Sequence, residues 1–253
     1  DIWRKTTEKD ALIGVSGTGI ASKSYENVVL ELGTKKVIEE NKRVSEIIGI
    51  NSAARLTCVK PAGTTSLVLG TSSGIHAWYA PYYIRRMRLG KNEAIYSYLI
   101  KKLPELIEDC FFKPEKEAVL SIPIKAPTGG VFRDESPIEL LERIKKFSSE
   151  WVAPGHIKGD NTHNVSATVS IKKDEWKEVG EWMWKNREYY NGLSVLPYDG
   201  GTYKQAPFEE ISKSKYYNME KLIKNIDLTK VKEEDDNTDL QGEIACAGGV
   251  CEL

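Results

Sequence analysis

The sequence predicts an α/β protein, because stretches with the two-residue period of strands alternate along the chain with stretches of helical period. The chain has 253 residues and a mass of 28.4 kDa, with 40% apolar and 29% charged residues. A compact chain of this length buries about 70–75% of its unfolded surface, so it forms a core without disulfide bonds. The alternation of strands and helices favours a largely parallel sheet.

The first third of the chain contains one strong helix and one short strand. Residues 1–33 are short apolar runs broken by glycine, and Gly14–Gly19 superficially resembles a nucleotide loop. We interpret that segment as a turn, because no strong strand precedes it. Apolar residues at helical spacing predict a helix over Thr34–Ile48. Leu56–Lys60 predicts a short buried strand that runs through Pro61–Ser66 into a small apolar helix.

The remaining elements alternate in the same way. We predict strands at Tyr82–Leu89, Ala118–Ile124, His163–Ile171 and Leu193–Pro197, and helices at Asn92–Lys102, Ser136–Ser149 and Asp174–Asn186. Ser136 is a suitable N-cap with Pro137 at the first helical position, and Asp174 is a suitable cap for the next helix.

Charge and cysteine content exclude several classes of protein. Lys and Arg number 36 against 37 Asp and Glu, so no basic excess attracts a phosphate backbone and we expect no direct nucleic-acid partner. No apolar stretch approaches a membrane span and no leader opens the sequence, so we expect no membrane association. Four unevenly spaced cysteines do not form a secreted disulfide framework, which indicates the reducing cytoplasm. Cys58 and Cys110 lie in apolar surroundings and are expected to be inert core residues.

The C-terminal region has a different composition. After Leu228 the sequence is rich in charge and poor in apolar residues, and we interpret Leu228–Ala245 as a flexible arm. It ends in Cys246 and Cys251, five positions apart around two glycines, which can approach to disulfide distance. Such an arm can carry a dithiol into a cleft and out to a reductant. Two alternatives are accidental cysteines and half of a metal site; no nearby Cys or His completes four ligands, so no metal site is predicted.

The strand–turn–helix at Lys60–Leu69 is the second candidate site. Thr64, Thr65 and Ser66 place hydroxyl groups where a helix presents unpaired N–H groups, an arrangement that favours an anion such as phosphate. The segment is not a Walker loop. The alternative is that Thr64 simply caps the helix.

Several segments together resemble the adenosylcobalamin-dependent (class II) ribonucleotide reductases, with the closest likeness to their monomeric ribonucleoside-triphosphate reductases. The segments that carry the resemblance follow one another in order over nearly the whole chain. They are Val59–Ser66, Thr71–His76, Tyr82–Arg86, His163–Ser170, Leu193–Gly201, Gln205–Phe208 and Asp239–Glu243 with Cys246 and Cys251.

The resemblance implies a fold and a set of site residues. It implies that residues 1–227 form the second half of the ten-stranded α/β barrel of ribonucleotide reductases, and that residues 228–253 form a flexible tail with a redox-active cysteine pair. It assigns the substrate phosphates to Ala62, Gly63, Thr64, Thr65 and Ser66. It makes Cys246 and Cys251 the shuttle dithiol that re-reduces the active-site disulfide. The segment Ser73–Ala77 is expected near the substrate or the corrin, with no specific role.

The chain lacks other residues of that family. No Asn-x-Cys-x-Glu pattern of the finger loop with the thiyl-radical cysteine occurs, and Cys58 and Cys110 match neither active-site cysteine. We therefore expect either a fragment or one product of a split enzyme, with an obligate partner carrying the N-terminal half. Adenosylcobalamin is expected to bind mainly with the rest of the barrel.

The implied reaction is thiyl-radical reduction of the ribose 2′-OH of a ribonucleotide, with triphosphates favoured over diphosphates and thioredoxin or a similar protein as reductant. One alternative is a fragment of a class I large subunit, although that class has adjacent tyrosines where this chain has the single Tyr198. Another is a non-catalytic dithiol redox carrier. A class III enzyme is disfavoured because no glycyl-radical segment occurs near the C-terminus.

Overall fold

The computed structural model describes residues 1–198 and 204–232. These residues form seven α-helices and eight strands. The helices are α1 (Ile2–Asp10), α2 (Leu30–Ile48), α3 (Gly63–Leu69), α4 (Ala94–Lys102), α5 (Pro137–Phe147), α6 (Trp176–Lys185) and α7 (Lys213–Ile223). The strands are β1 (Val15–Ser16), β2 (Thr57–Cys58), β3 (Tyr82–Gly90), β4 (Ile107–Asp109), β5 (Glu117–Lys125), β6 (Thr168–Ile171), β7 (Ser194–Pro197) and β8 (Phe208–Glu210). None of the helices in this part of the chain is both long and apolar enough to cross a bilayer.

The described residues divide into two compact units. Unit 1 comprises residues 1–78 and 129–198, and unit 2 comprises residues 79–128 together with the described residues from 204 onward.

Unit 1 contains the parallel sheet that the sequence predicts. β1 pairs in parallel with β2, and β6 pairs in parallel with β7. A parallel bridge between Val59 and Val165 connects the two pairs, with the Val59 N–H donating to Asn164 and the Ser166 N–H donating to Val59. The bridge lies just after β2 and just before β6, so the two pairs run in the same direction, and β6 lies beyond the carboxyl end of β2 rather than level with it.

The core of unit 1 lies between these strands and the helices that follow them. The α5 side chains Leu141 and Ile144 are fully buried, together with Val59, Val165 and Val169 of the sheet region. Sequence prediction of α5 is confirmed in detail: Ser136 and Glu139 form a reciprocal capping box, and Pro137 occupies the first helical position. The predicted cap of α6 is wrong, because α6 begins at Trp176 after Glu175, and no side chain caps it.

Unit 2 is an antiparallel sheet with strand order β4, β5, β3, β8, so the prediction of a largely parallel sheet is wrong for this part. β3 and β5 pair antiparallel over nine residues. The helix α4 does lead from β3 to a strand of the same direction, but that strand is the three-residue β4. β5 then turns back and inserts between β3 and β4. The sequence analysis missed β4, so it placed no strand between α4 and β5.

The core of unit 2 is formed where α4 and α7 cover one face of this sheet. Leu99 and Leu103 from the α4 region and Met219 from α7 are buried against Ile84 and Leu120. α7 and β8 escaped the sequence analysis, as did α1 in unit 1. The predicted C-terminal arm begins with a short 3₁₀ turn over Leu228–Lys230, and the rest of it, from residue 233, lies outside the described residues.

Candidate functional site

The candidate site begins where the parallel strand β2 ends. The backbone N–H of Lys60 donates to Ser16 Oγ at 2.8 Å, so the carboxyl ends of β1 and β2 are joined directly. Gly14–Gly19 therefore contributes a strand and a supporting hydroxyl group, and its interpretation as a simple turn is wrong. Parallel α/β sheets bind ligands at this edge, beyond the carboxyl ends of their strands.

The backbone of Ala62 has an unusual conformation. Its φ of 53° and ψ of 39° lie in the left-handed region, which non-glycine residues seldom occupy, and Gly63 begins α3 immediately afterwards. No side chain caps this helix, so the alternative that Thr64 is its N-cap is wrong. A left-handed residue followed by a helical one turns successive N–H groups toward a common point, the arrangement called an anion nest.

Hydrogen-bond donors remain available at the start of α3. The first backbone bond of the turn runs from Ser66 N to Ala62 O at 2.9 Å, so the N–H groups of Gly63, Thr64 and Thr65 have no acceptor within the helix. Thr64 and Thr65 are exposed, and their hydroxyl groups make no hydrogen bond to any described residue.

Ser66 differs from the other predicted phosphate ligands. It is only 3% exposed, and its hydroxyl group donates to Gly63 O at 3.0 Å. Its N–H is also occupied by Ala62 O. The structure thus brings the half-buried Ala62 and Gly63 together with the exposed Thr64 and Thr65. Ser66 is buried, and its hydroxyl group stabilises the turn.

The loop over residues 71–76, called the second loop below, contacts this turn. The Ser73 hydroxyl group donates to the carbonyl oxygen of Pro61. Gly74 has a φ of 54°, and a Cβ at this position would overlap the carbonyl oxygen of Lys60. Only glycine combines that backbone conformation with such a close approach, so Gly74 fixes the distance between the two loops.

The hydroxyl groups of Thr18 and Ser22 hold the second loop in place, and the sequence analysis assigned no role to either. Thr18 Oγ1 donates to Ser72 O at 3.1 Å and accepts from Gly74 N at 2.9 Å. Ser22 Oγ accepts from the indole N–H of Trp78 at 2.9 Å. The concentration of Ser and Thr in both segments is the only sequence signal for this network.

His76 connects the second loop to β6. Thr168 N donates to His76 Nε2 at 3.0 Å, which places the ring proton on Nδ1, 3.3 Å from Ser73 O. Burial lowers the pKa of His76, Arg143 lowers it further, and the hydrogen bond to Ser73 acts in the opposite direction. His76 is therefore neutral at pH 7, with both ring nitrogens occupied.

The cysteines fall into two groups. Cys58 and Cys110 are buried free thiols, as predicted, and burial raises the pKa of Cys58 above its ordinary value. A buried thiol with a raised pKa is a poor nucleophile. Cys246 and Cys251 lie outside the described residues.

The expectation that Ser73–Ala77 lies near the substrate or the corrin stays a prediction. Within this segment both ring nitrogens of His76 are hydrogen-bonded to the protein backbone. The Ser73 hydroxyl group is likewise occupied, by Pro61. These contacts indicate that the segment supports the neighbouring loop.

The fold and the sequence are similar to those of known proteins. The crystal structure of a B12-dependent (class II) ribonucleotide reductase matches with a TM-score of 0.70 and 23% identity, over 88% of this chain and 35% of that one. The adenosylcobalamin-dependent ribonucleoside-triphosphate reductase of Lactobacillus acidophilus is 29% identical over 97% of this chain, and that of Euglena gracilis is 30% identical over 88%. No protein-family model matches the chain.

The comparison with the crystal structure shows that the fold of this chain is similar to about a third of a class II ribonucleotide reductase. The comparison with the relatives confirms the resemblance inferred from the sequence, since the relatives are adenosylcobalamin-dependent ribonucleoside-triphosphate reductases that cover most of this chain. The chain spans about one third of the length of these relatives.

The tautomer of His76 has a measurable consequence for stability. The folded-state pKa lies below the ordinary 6.5, so the unfolded chain takes up a proton first as the pH falls. The contribution of neutral His76 to the free energy of unfolding is complete above pH 6.5. It is lost as the pH falls from 6.5 toward the folded-state pKa. His76→Leu is expected to cost about 1–3 kcal/mol at pH 7.5, because it leaves the Thr168 N–H without its acceptor. Urea unfolding at pH 7.5 and 5.5 should show that the free energy of unfolding falls less on acidification in the variant than in the wild type. An NMR titration of the His76 ring with a midpoint at or above 6.5 would contradict this assignment.

Proposed function

We propose that this chain forms the substrate-phosphate site and the electron-delivering arm of an adenosylcobalamin-dependent ribonucleoside-triphosphate reductase. The observation that carries the proposal is the set of uncapped donors at Gly63, Thr64 and Thr65, beyond the carboxyl ends of β1 and β2. The similarity to such reductases over 97% of the chain supports it.

The phosphate site would use backbone and hydroxyl donors together. The N–H groups of Gly63, Thr64 and Thr65, with the two threonine hydroxyl groups, offer up to five donors to phosphate oxygens. Lys60 is exposed at the entrance to the same loop and adds a positive charge. The buried contacts of Ser66 and Ser73 hold these donors in place before the substrate arrives.

The arm would restore the thiols consumed in each turnover. Reduction of a ribonucleotide replaces the 2′-OH by hydrogen and releases water, and two thiols supply the electrons as they form a disulfide. Cys246 and Cys251 would reduce that disulfide by exchange and become a disulfide themselves, which thioredoxin or a similar protein then reduces.

The chain would act with a second polypeptide segment. We propose that an N-terminal half of the barrel carries the radical cysteine and most of the adenosylcobalamin site, because this chain spans about a third of its relatives. Adenosylcobalamin would supply the radical, and the described residues supply binding and orientation of the substrate. This assignment places the protein in deoxyribonucleotide biosynthesis in the cytoplasm.

The reaction class is tested by deoxynucleotide formation in the complete assembly, this chain with its upstream half, with and without adenosylcobalamin. Product that depends strictly on the cofactor is expected. Activity that instead requires a metal-containing small subunit would assign the protein to class I. Absence of product under every condition would leave only a dithiol redox carrier.

The phosphate site is tested by Thr64→Val and Thr65→Val, which remove a hydroxyl group and retain the shape of the side chain. Each is expected to raise KM for the ribonucleoside triphosphate about tenfold, equivalent to about 1.4 kcal/mol, with kcat little changed. Thr6→Val in α1 is the matched control, because its hydroxyl group bonds only within its own helix. An unchanged KM in both site variants, in an assembly that makes product, would exclude the phosphate assignment alone.

The arm is tested by Cys246→Ser with two different reductants. Turnover driven by thioredoxin is expected to be abolished, whereas a small dithiol that enters the cleft directly should still support much of the activity. Ala247→Ser introduces a hydroxyl group at the neighbouring position without removing a thiol and serves as the control. Equal loss with both reductants would mean that Cys246 takes part in the chemistry itself.

A further inference from the structure

Unit 2 exposes two phenylalanines in the turn between β4 and β5. Phe111 is 54% exposed and Phe112 is 57% exposed, and their rings meet edge to face with centroids 5.4 Å apart. Arg88 lies 5.8 Å from the centroid of Phe112, and Lys204 Nζ lies 4.3 Å from that of Phe111. These four residues are called the Phe111–Phe112 cluster below. Exposed apolar groups flanked by charge are typical of docking surfaces.

The cluster is held in position by a side chain. Gln205 donates through Nε2 to Asp109 O at 2.8 Å and accepts through Oε1 from Phe111 N at 2.7 Å. The two bonds fix the backbone on either side of the buried Cys110. The exposed rings are therefore presented by an ordered backbone, so that docking there costs little further ordering.

The charges around the cluster leave a positive excess. Lys91 pairs with Asp109, and Lys113 pairs with Glu117. Arg88, Lys116 and Lys204 have no carboxylate partner among the residues that the structure describes. Glu115 is the remaining exposed acid of the turn. Arg88 also lowers the pKa of Glu117, and Glu115 raises that of Lys91, without a close ion pair in either case. Counting these groups together, the surface carries five cations against three carboxylates, beside two aromatic rings.

A segment of the same chain has the complementary composition. Beyond Lys232 the sequence contains no Lys or Arg, and its acidic residues are Glu233, Glu234, Asp235, Asp236, Asp239, Glu243 and Glu252. Leu240 and Ile244 are the apolar residues that follow the acidic run.

The acidic segment can reach the cluster. Ile226 packs against the apolar core of unit 2 that includes Leu103 and Leu106. Leu106 and Phe111 flank β4 and are five residues apart in the chain, so they are at most about 18 Å from each other. The seven residues 233–239 span up to about 23–25 Å when extended.

We infer that residues 233–245 of the arm dock reversibly on the Phe111–Phe112 cluster. The acidic residues pair with Arg88, Lys116 and Lys204, and Leu240 and Ile244 cover the phenylalanine rings. Single surface ion pairs contribute little, but several on one tethered segment act together. The docked arm holds the Cys246–Cys251 pair near unit 2 between excursions. The contact does not depend on the redox role proposed for those cysteines.

The test is hydrogen exchange of the full chain at low and high salt, read on peptides covering residues 109–116 and 233–245. Exchange of both segments is expected to be severalfold slower in the wild type than in a variant with a neutral arm, made by Glu233→Gln, Glu234→Gln, Asp235→Asn and Asp236→Asn. High salt should remove the difference, because it screens exposed charges.

Charge reversal gives the decisive comparison. Arg88→Glu with Lys204→Glu is expected to release the arm. In that background, Glu233→Lys, Glu234→Lys, Asp235→Lys and Asp236→Lys together should restore protection. Lys125→Glu with Lys213→Glu makes the same change of charge at the opposite end of β3 and should leave protection unchanged. Equal exchange in the wild type and the neutral-arm variant, or no restoration by the reversed pair, would overturn the inference. Protection of residues 109–116 that appears only when thioredoxin is added would assign the cluster to the reductant instead.

Discussion

The pairing of Val59 with the backbone at Asn164–Ser166 is the interaction on which the candidate site depends. It joins two short parallel pairs into one array, and it does so immediately before the chain turns into the Lys60–Thr65 loop. All four strands run in the same direction, and β1 and β2 end side by side, with Ser16 opposite Cys58. The loop after β2 and the hydroxyl group at the end of β1 therefore meet without any long connection, and the Ser16–Lys60 bond follows from that geometry.

The N–H groups of Gly63, Thr64 and Thr65 remain available because other polar groups hold the Lys60–Thr65 loop in place. The Ser73 hydroxyl group donates to the Pro61 carbonyl oxygen. Gly74 lets the two loops approach more closely than a residue with a Cβ would allow. His76 then ties the second loop to β6 through Thr168. A left-handed residue such as Ala62 costs about 1–2 kcal/mol, and a conformation of that kind persists only where its surroundings enforce it. The hydrogen bonds of Thr18 and Ser73 hold the backbone around Ala62 in this conformation. This accounts for the Ser and Thr side chains that pack near the exposed Thr64 and Thr65.

The sequence predicts elements well where local patterns are strong. α5 has a capping box, a proline at its first position and a regular apolar face, and all three signals agree with the structure. β3 and β5 are nine-residue strands whose positions are predicted closely. Their antiparallel direction is not predicted, because β4, the strand between α4 and β5, has three residues and no pattern of its own. The loop at Lys60–Ser66 was located from its residue types, whereas the inward direction of Ser66 and the left-handed backbone of Ala62 are set by tertiary contacts. No periodicity in the sequence records such contacts.

The exposed apolar side chains of unit 1 bear on the proposed second half of the enzyme. Val68 is 83% exposed and Leu69 is 62% exposed on α3, the same helix that begins with Thr64 and Thr65. Ile47 at the end of α2 is 69% exposed. Isolated exposed aliphatic residues are common, but Val68 and Leu69 lie on the helix that would hold a highly charged ligand. Hydrogen bonds to phosphate become stronger when water is excluded, and the exposed start of α3 by itself excludes little water. A partner that covered Val68 and Leu69 would bury apolar surface and enclose the phosphate donors in the same step, so assembly and substrate affinity are expected to be coupled.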